Sequence, residues 1–154
     1  MIPWNPQGAE TITGGTLSPE VDVKAELTGL TIDSREAGPG VVFVALPGQR
    51  VDGIDFVDDA VRRGSPLAIV DREVPGPTLL VPDPEKALAR IAEISLRRAR
   101  QASPRLKVIG ITGSMGKTTT KDLLAQITST RGHTIASQGS FNNHLGVPLT
   151  VARV

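Results

Sequence analysis

The sequence predicts an α/β protein, a small α/β domain followed by the start of a second domain built on a phosphate-binding loop. Three observations carry this expectation. Short apolar runs bounded by Gly, Pro or Asp recur at residues 29–33, 41–46, 67–70 and 78–81, as buried strands do. A helical pattern lies between the second and third runs, so strand, helix and strand alternate as in a βαβ unit. A strand, a glycine-rich loop and a helix then follow one another across residues 107–130.

The elements can be justified in order. In the stretch 55–63, Phe56, Val57, Ala60 and Val61 recur at i, i+1, i+4 and i+5, one face of a helix that Gly64 is placed to end. At Val81-Pro-Asp-Pro the composition shifts. Asp83 suits an N-cap and Pro84 the first helical position. A helix is expected over 85–101, with Leu88, Ile91, Ala92, Ser95 and Ala99 on one face and charges opposite. The domain boundary is placed near residue 83, giving domains 1–83 and 84–154. A bridging helix would move it to about Ser103-Pro104. Residues 107–111 read as a buried strand. Residues 121–130 read as a helix with Leu123, Leu124 and Ile127 on its apolar side. Trp4 precedes all of these and is assigned no role, since single exposed apolar residues are normal.

Composition removes several classes. The 154 residues suit one ordinary domain or two small ones. No apolar run approaches the roughly 20 residues of a membrane span, and the first ten residues lack a signal-peptide core. There is no cysteine, and His133 and His144 are the only imidazoles. Disulfide scaffolds and thiolate metal sites are therefore excluded, and the cytoplasm is the expected compartment. The net charge of +1 hides an asymmetry. Residues 1–83 carry six Lys/Arg and thirteen Asp/Glu, whereas residues 84–154 carry eleven and three. A basic half favours anionic partners. Sparse aromatics (Trp4, Phe43, Phe56 and Phe141) argue against a base-stacking nucleic-acid surface.

Chemistry concentrates in Gly113-Ser-Met-Gly-Lys-Thr-Thr-Thr. Glycines let backbone N–H groups turn inward around an anion, and the next helix offers its free N–H groups and positive dipole end to the same anion. Lys117 would reach the β/γ-phosphates, and the Thr118 hydroxyl would ligate Mg²⁺. The strict pattern asks for glycine at position 111, where this chain has Ile111.

Thr112-Gly-Ser-Met-Gly-Lys-Thr-Thr-Thr-Lys resembles the ATP loop of the Mur ligases, a family whose variant lacks that first glycine. Two further segments resemble the same family. Ser140-Phe-Asn-Asn-His-Leu-Gly-Val-Pro-Leu-Thr is similar to a segment of its D-alanyl-D-alanine-adding branch. Thr31-Ile-Asp-Ser-Arg, with Val42-Phe-Val-Ala-Leu-Pro-Gly and Asp52-Gly-Ile-Asp-Phe, resembles a shared N-terminal domain. The resemblance implies an ATP-dependent amide ligase of peptidoglycan precursor synthesis. The terminal carboxylate of UDP-MurNAc-tripeptide becomes an acyl phosphate, and the amine of D-Ala-D-Ala attacks it. ATP and Mg²⁺ are implied, as are small-molecule substrates and a monomeric full-length enzyme without nucleic-acid or membrane partners.

Residue roles follow from the resemblance. Gly113, Ser114, Met115, Gly116, Lys117, Thr118, Thr119 and Asn142 match the ATP site, Lys117 as the catalytic cation and Thr118 as the metal ligand. Ser34, Arg35, Asp52, Gly53 and Asn143 match the substrate side. The resemblance also implies that the chain stops inside the second domain. The 154 residues alone are then expected not to ligate, with 105–154 only marginally stable. The residues by themselves leave alternatives open. Asp33 and Arg35 could be a surface ion pair, Gly48 and Gly53 hairpin punctuation, and Asn142 and Asn143 a turn. A ligase adding a diamino acid, or a non-catalytic nucleotide- or UDP-sugar-binding module, also fits.

Overall fold

The computed structural model describes residues 4–48, 51–137 and 145–152. Helix α1 (Pro6–Thr13) and strand β1 (Thr16–Leu17) come first, then β2 (Gly29–Thr31), β3 (Val41–Val44), α2 (Val57–Arg62), β4 (Ala68–Val70), β5 (Thr78–Leu80), α3 (Pro84–Ala102), α4 (Lys117–Ser129) and α5 (Gly146–Val151). The five strands form one sheet in the order β1-β5-β4-β3-β2. β2 to β5 are mutually parallel, and β1 closes the far edge antiparallel to β5.

The four strands predicted at 29–33, 41–46, 67–70 and 78–81 are present, each shorter than its apolar run. β2 stops at Thr31 because Asp33 turns its carboxylate to cap a 3-10 turn at Ser34–Glu36. Side chains alternate across the sheet, as the two-residue period requires. Val42, Val44, Ile69 and Leu79 face one layer, with Ala9 of α1 and Ala87, Leu88, Ile91 and Ala92 of α3. Phe43, Ala45, Ala68 and Val70 face the other, with Val57 and Ala60 of α2. A parallel sheet covered on both faces explains strands that are apolar throughout.

Helix signals act locally. Asp83 accepts the Lys86 N–H at 3.0 Å, and Pro84 opens α3. Gly64 leaves α2 at φ +98°, in the left-handed region that favours glycine. The predicted helix 55–63 is divided: a 3-10 turn at Gly53–Phe56 precedes α2, and Phe56, expected on the apolar face, stays 40% exposed.

Three expectations are corrected. Trp4 is not a surface residue: it is 7% exposed, joined to Leu27 by a pair of backbone hydrogen bonds and packed into the core. Helix α1 was not foreseen, although Asn5 caps it and Pro6 opens it. Residues 107–111 form no strand, and Val108 and Ile109 are 52% and 57% exposed. A buried parallel strand needs a ladder on both sides, and no described residue pairs with these. The apolar side of α4 is also open, with Leu123 and Ile127 exposed. In contrast α5 is well packed: Leu145, Leu149 and Val151 lie against the core that includes α3, and Ala152 is fully buried.

Candidate functional site

The parallel register brings the loops after β2, β3 and β4 to one carboxyl edge of the sheet, the place where open α/β sheets bind ligands. Ser34 and Arg35 follow β2, and Asp52 and Gly53 follow β3. The Asp33 carboxylate accepts the Arg35 N–H at 3.0 Å and pairs with its guanidinium at 2.6 Å. The ion-pair alternative for these two residues is thus realised, with the Arg35 side chain still 80% exposed and able to meet a ligand. The Arg35 hydrogen bonds hold the Asp33 carboxyl down at about 2.

That shift has a pH signature. A carboxylate with a lowered folded pKa contributes stability above its ordinary range, and loses it as pH falls through the folded value. Asp33 is therefore expected to titrate near 2 in the native protein, against about 4 for free aspartate. Arg35→Ala should move it back toward 4 in an NMR titration of the carboxyl carbon.

Ser34 is buried, and the neighbouring Asp59 is held by Arg63 at 3.0 Å, which keeps its carboxyl below the usual range. Asp52 caps the next 3-10 turn through the Ile54 N–H at 3.2 Å. Gly53 sits where a Cβ would lie 2.6 Å from the Leu46 nitrogen and 2.7 Å from its oxygen. Close approach, not hairpin punctuation, requires this glycine, since β3 and β4 are parallel. Gly53→Ala is expected to cost about 1–3 kcal/mol, the scale of overpacking, measured by denaturant unfolding. Sequence reasoning missed Arg72, whose Nη2 donates to Asp52. Its partner lies 20 positions away, and only the pairing of β3 with β4 brings the two together.

The glycine loop is built separately. Gly113 and Gly116 have φ of +153° and +78°, and Gly116 is the N-cap of α4. That N-terminus has no side-chain cap and no acidic residue in its first turn. Its leading N–H groups and positive dipole end are therefore presented to an anion. Lys117 spans the loop, its Nζ donating to the Gly113 carbonyl at 2.6 Å. Helix α4 begins at Lys117, four residues before the predicted start at 121, because Gly116 in the left-handed region is its cap. Ser114, Met115, Thr118 and Thr119 are exposed around it. Lys121 is turned away toward the Ser137 carbonyl and Asp122. Asn142 and Asn143, with the segment that suggested them, lie outside the described residues.

A glycine loop ahead of a helix, following a parallel sheet, is the arrangement common among nucleotide-binding α/β proteins. Residues 26–112 match the Mur ligase family, catalytic domain, and residues 111–154 match the Mur ligase middle domain. The first match alone spans more than half of the chain, which therefore belongs to the Mur ligase family. Within it, the UDP-N-acetylmuramoyl-tripeptide–D-alanyl-D-alanine ligase of Mycobacterium tuberculosis (strain ATCC 25618 / H37Rv) is 38% identical over 96% of this chain and 33% of its own. MurF from Acinetobacter baumannii superposes with a TM-score of 0.84 at 36% identity, over 99% of this chain and 33% of that one. MurF ligase from Thermotoga maritima, solved in complex with ADP, gives a TM-score of 0.64 at 33% identity, over 80% of this chain and 28% of that one. The chain spans about a third of the length of these relatives.

Proposed function

We propose that the chain carries the uridine-substrate edge and the nucleotide loop of an ATP-dependent ligase. That ligase joins D-Ala-D-Ala to UDP-MurNAc-tripeptide in peptidoglycan precursor synthesis, by way of an acyl phosphate. The observation that carries this is Lys117 held across residues 113–116 at the uncapped amino end of α4, in a chain whose matched relatives are named for that reaction.

The residues fit a nucleotide triphosphate. Backbone N–H groups of 113–119 would hold the phosphates, and Lys117 would leave the Gly113 carbonyl for phosphate oxygens. Among the described residues no cluster of three or more His, Asp or Glu could hold a metal alone. Thr118 would supply one hydroxyl to a bound Mg²⁺, an ion that usually binds few protein groups beside phosphate and water. Bound there, ATP supplies the phosphoryl group that gives a carboxylate a leaving group. Lys117 neutralises charge on that group as it transfers, and the loop fixes its direction, which is most of what such catalysis needs. Ser34, Arg35, Asp52 and Gly53 would receive the uridine nucleotide, and Asn142 and Asn143 would stand at the nucleotide and substrate. We place the enzyme in the cytoplasm as a monomer. The absence of cysteine supports the compartment, and no described helix is long and apolar enough to cross a membrane.

The test is ADP release by the full-length protein. Release is expected only when UDP-MurNAc-tripeptide and D-Ala-D-Ala are both present. Release that instead needs the dipeptide precursor and a diamino acid would assign the chain to the other branch.

A further inference from the structure

The edge proposed for the uridine nucleotide belongs to the acidic part of the chain, which carries six Lys/Arg against thirteen Asp/Glu over residues 1–83. A diphosphate would be repelled there unless local cations compensate. Arg35 and Arg63 pair with carboxylates two and four positions away, Asp33 and Asp59. Arg72 is different, because its pair with Asp52 spans 20 positions. It ties the loop after β3 to the end of β4, two strands in parallel register (Val44 opposite Ile69).

Asp52 is held twice. One carboxylate oxygen caps the Ile54 N–H and the other accepts from Arg72. Arg72 also donates to Asp71 at 3.3 Å and lies within the field of Asp55. Its side chain remains 52% exposed, so part of the guanidinium faces solvent at the edge. An exposed ion pair contributes little to stability. Stability alone therefore gives little reason for a cation that links two loops at a ligand edge.

We propose that Arg72 is a positioning residue for the uridine nucleotide. It fixes Asp52 and the turn that Asp52 caps, and its single positive charge offsets part of the charge of Asp52, Asp55 and Asp71, which lessens the repulsion of a diphosphate at the edge. The inference rests on the edge being the uridine-nucleotide site, as proposed above.

Calorimetric titration of the full-length protein with UDP tests it. Arg72→Ala is expected to weaken UDP binding roughly tenfold, the scale of one charged hydrogen bond, while shifting the melting temperature by only a few degrees. Arg72→Lys, which keeps the charge and loses the fork, should recover part of the affinity. UDP affinity within twofold of wild type in Arg72→Ala would overturn the role of Arg72 alone. So would a large loss of melting temperature that accompanies the loss of affinity and that Arg72→Lys does not relieve. No UDP binding by the wild type, or binding untouched by Ser34→Ala and Arg35→Ala, would overturn the assignment of the edge itself.

Discussion

Lys117→Ala is expected to lower ATP-dependent ligation by the full-length protein roughly a hundredfold or more, the scale of removing one charge-stabilising donor from a preorganised site. The geometry explains why the loss should fall on activity and spare the fold. The Lys117 ammonium bonds to the Gly113 carbonyl, an acceptor of the loop it serves. On the proposed reading it is a cation poised over a phosphate site, and phosphate oxygens would replace that carbonyl at little cost. Removing it leaves α4 and its Gly116 cap in place. Steady-state rates at saturating ATP, beside a thermal melt, check both halves. A variant with wild-type turnover would remove Lys117 from the mechanism.

Phe43→Ala is expected to cost about 3–5 kcal/mol, a large part of the roughly 5–15 kcal/mol that holds a domain folded. The other buried side chains between the sheet and α2 are small, Ala45, Val57, Ala60, Ala68 and Val70, with Ile54 and Leu80 only partly buried against them. Phe43 is 1% exposed and sits on a strand with neighbours on both sides. Alanine and valine cannot close the cavity its ring would leave, so the layer should loosen as a unit. Phe43→Leu should recover most of the loss. Urea unfolding of the three proteins measures this, and a Phe43→Ala midpoint close to wild type would show that α2 contributes little to the fold.

Legibility in the sequence followed the range of the interactions. Asp83-Pro84 and Gly64 act on their own neighbours, and α3 and the end of α2 fall where these residues place them. The continuous apolar runs of β3 and β4 are equally local. Asn5-Pro6 obeys the same rules, yet α1 was missed because its eight residues present only a narrow apolar side, with Ala9 and Ile12 against the core. Trp4 was misplaced because its burial depends on Leu27, a partner far along the chain. Residues 107–111 were apolar enough for a strand, but composition cannot supply the neighbouring strands that make one. The left-handed glycines before α4 could be read because loop and helix start form one contiguous segment. Arg72 could not, because it acts through strand register.

Under the proposed function two phosphate-bearing ligands occupy two separate places: ADP on residues 113–119, and a uridine nucleotide at the carboxyl edge of the sheet. Amide chemical-shift mapping of the full-length protein, titrated with ADP and separately with UDP, tests it most directly. ADP is expected to move the amides of 113–119 most, and UDP those of Ser34, Arg35, Asp52 and Gly53. Shifts of the same amides by both ligands, or ADP shifts at the sheet edge with 113–119 unmoved, would contradict it.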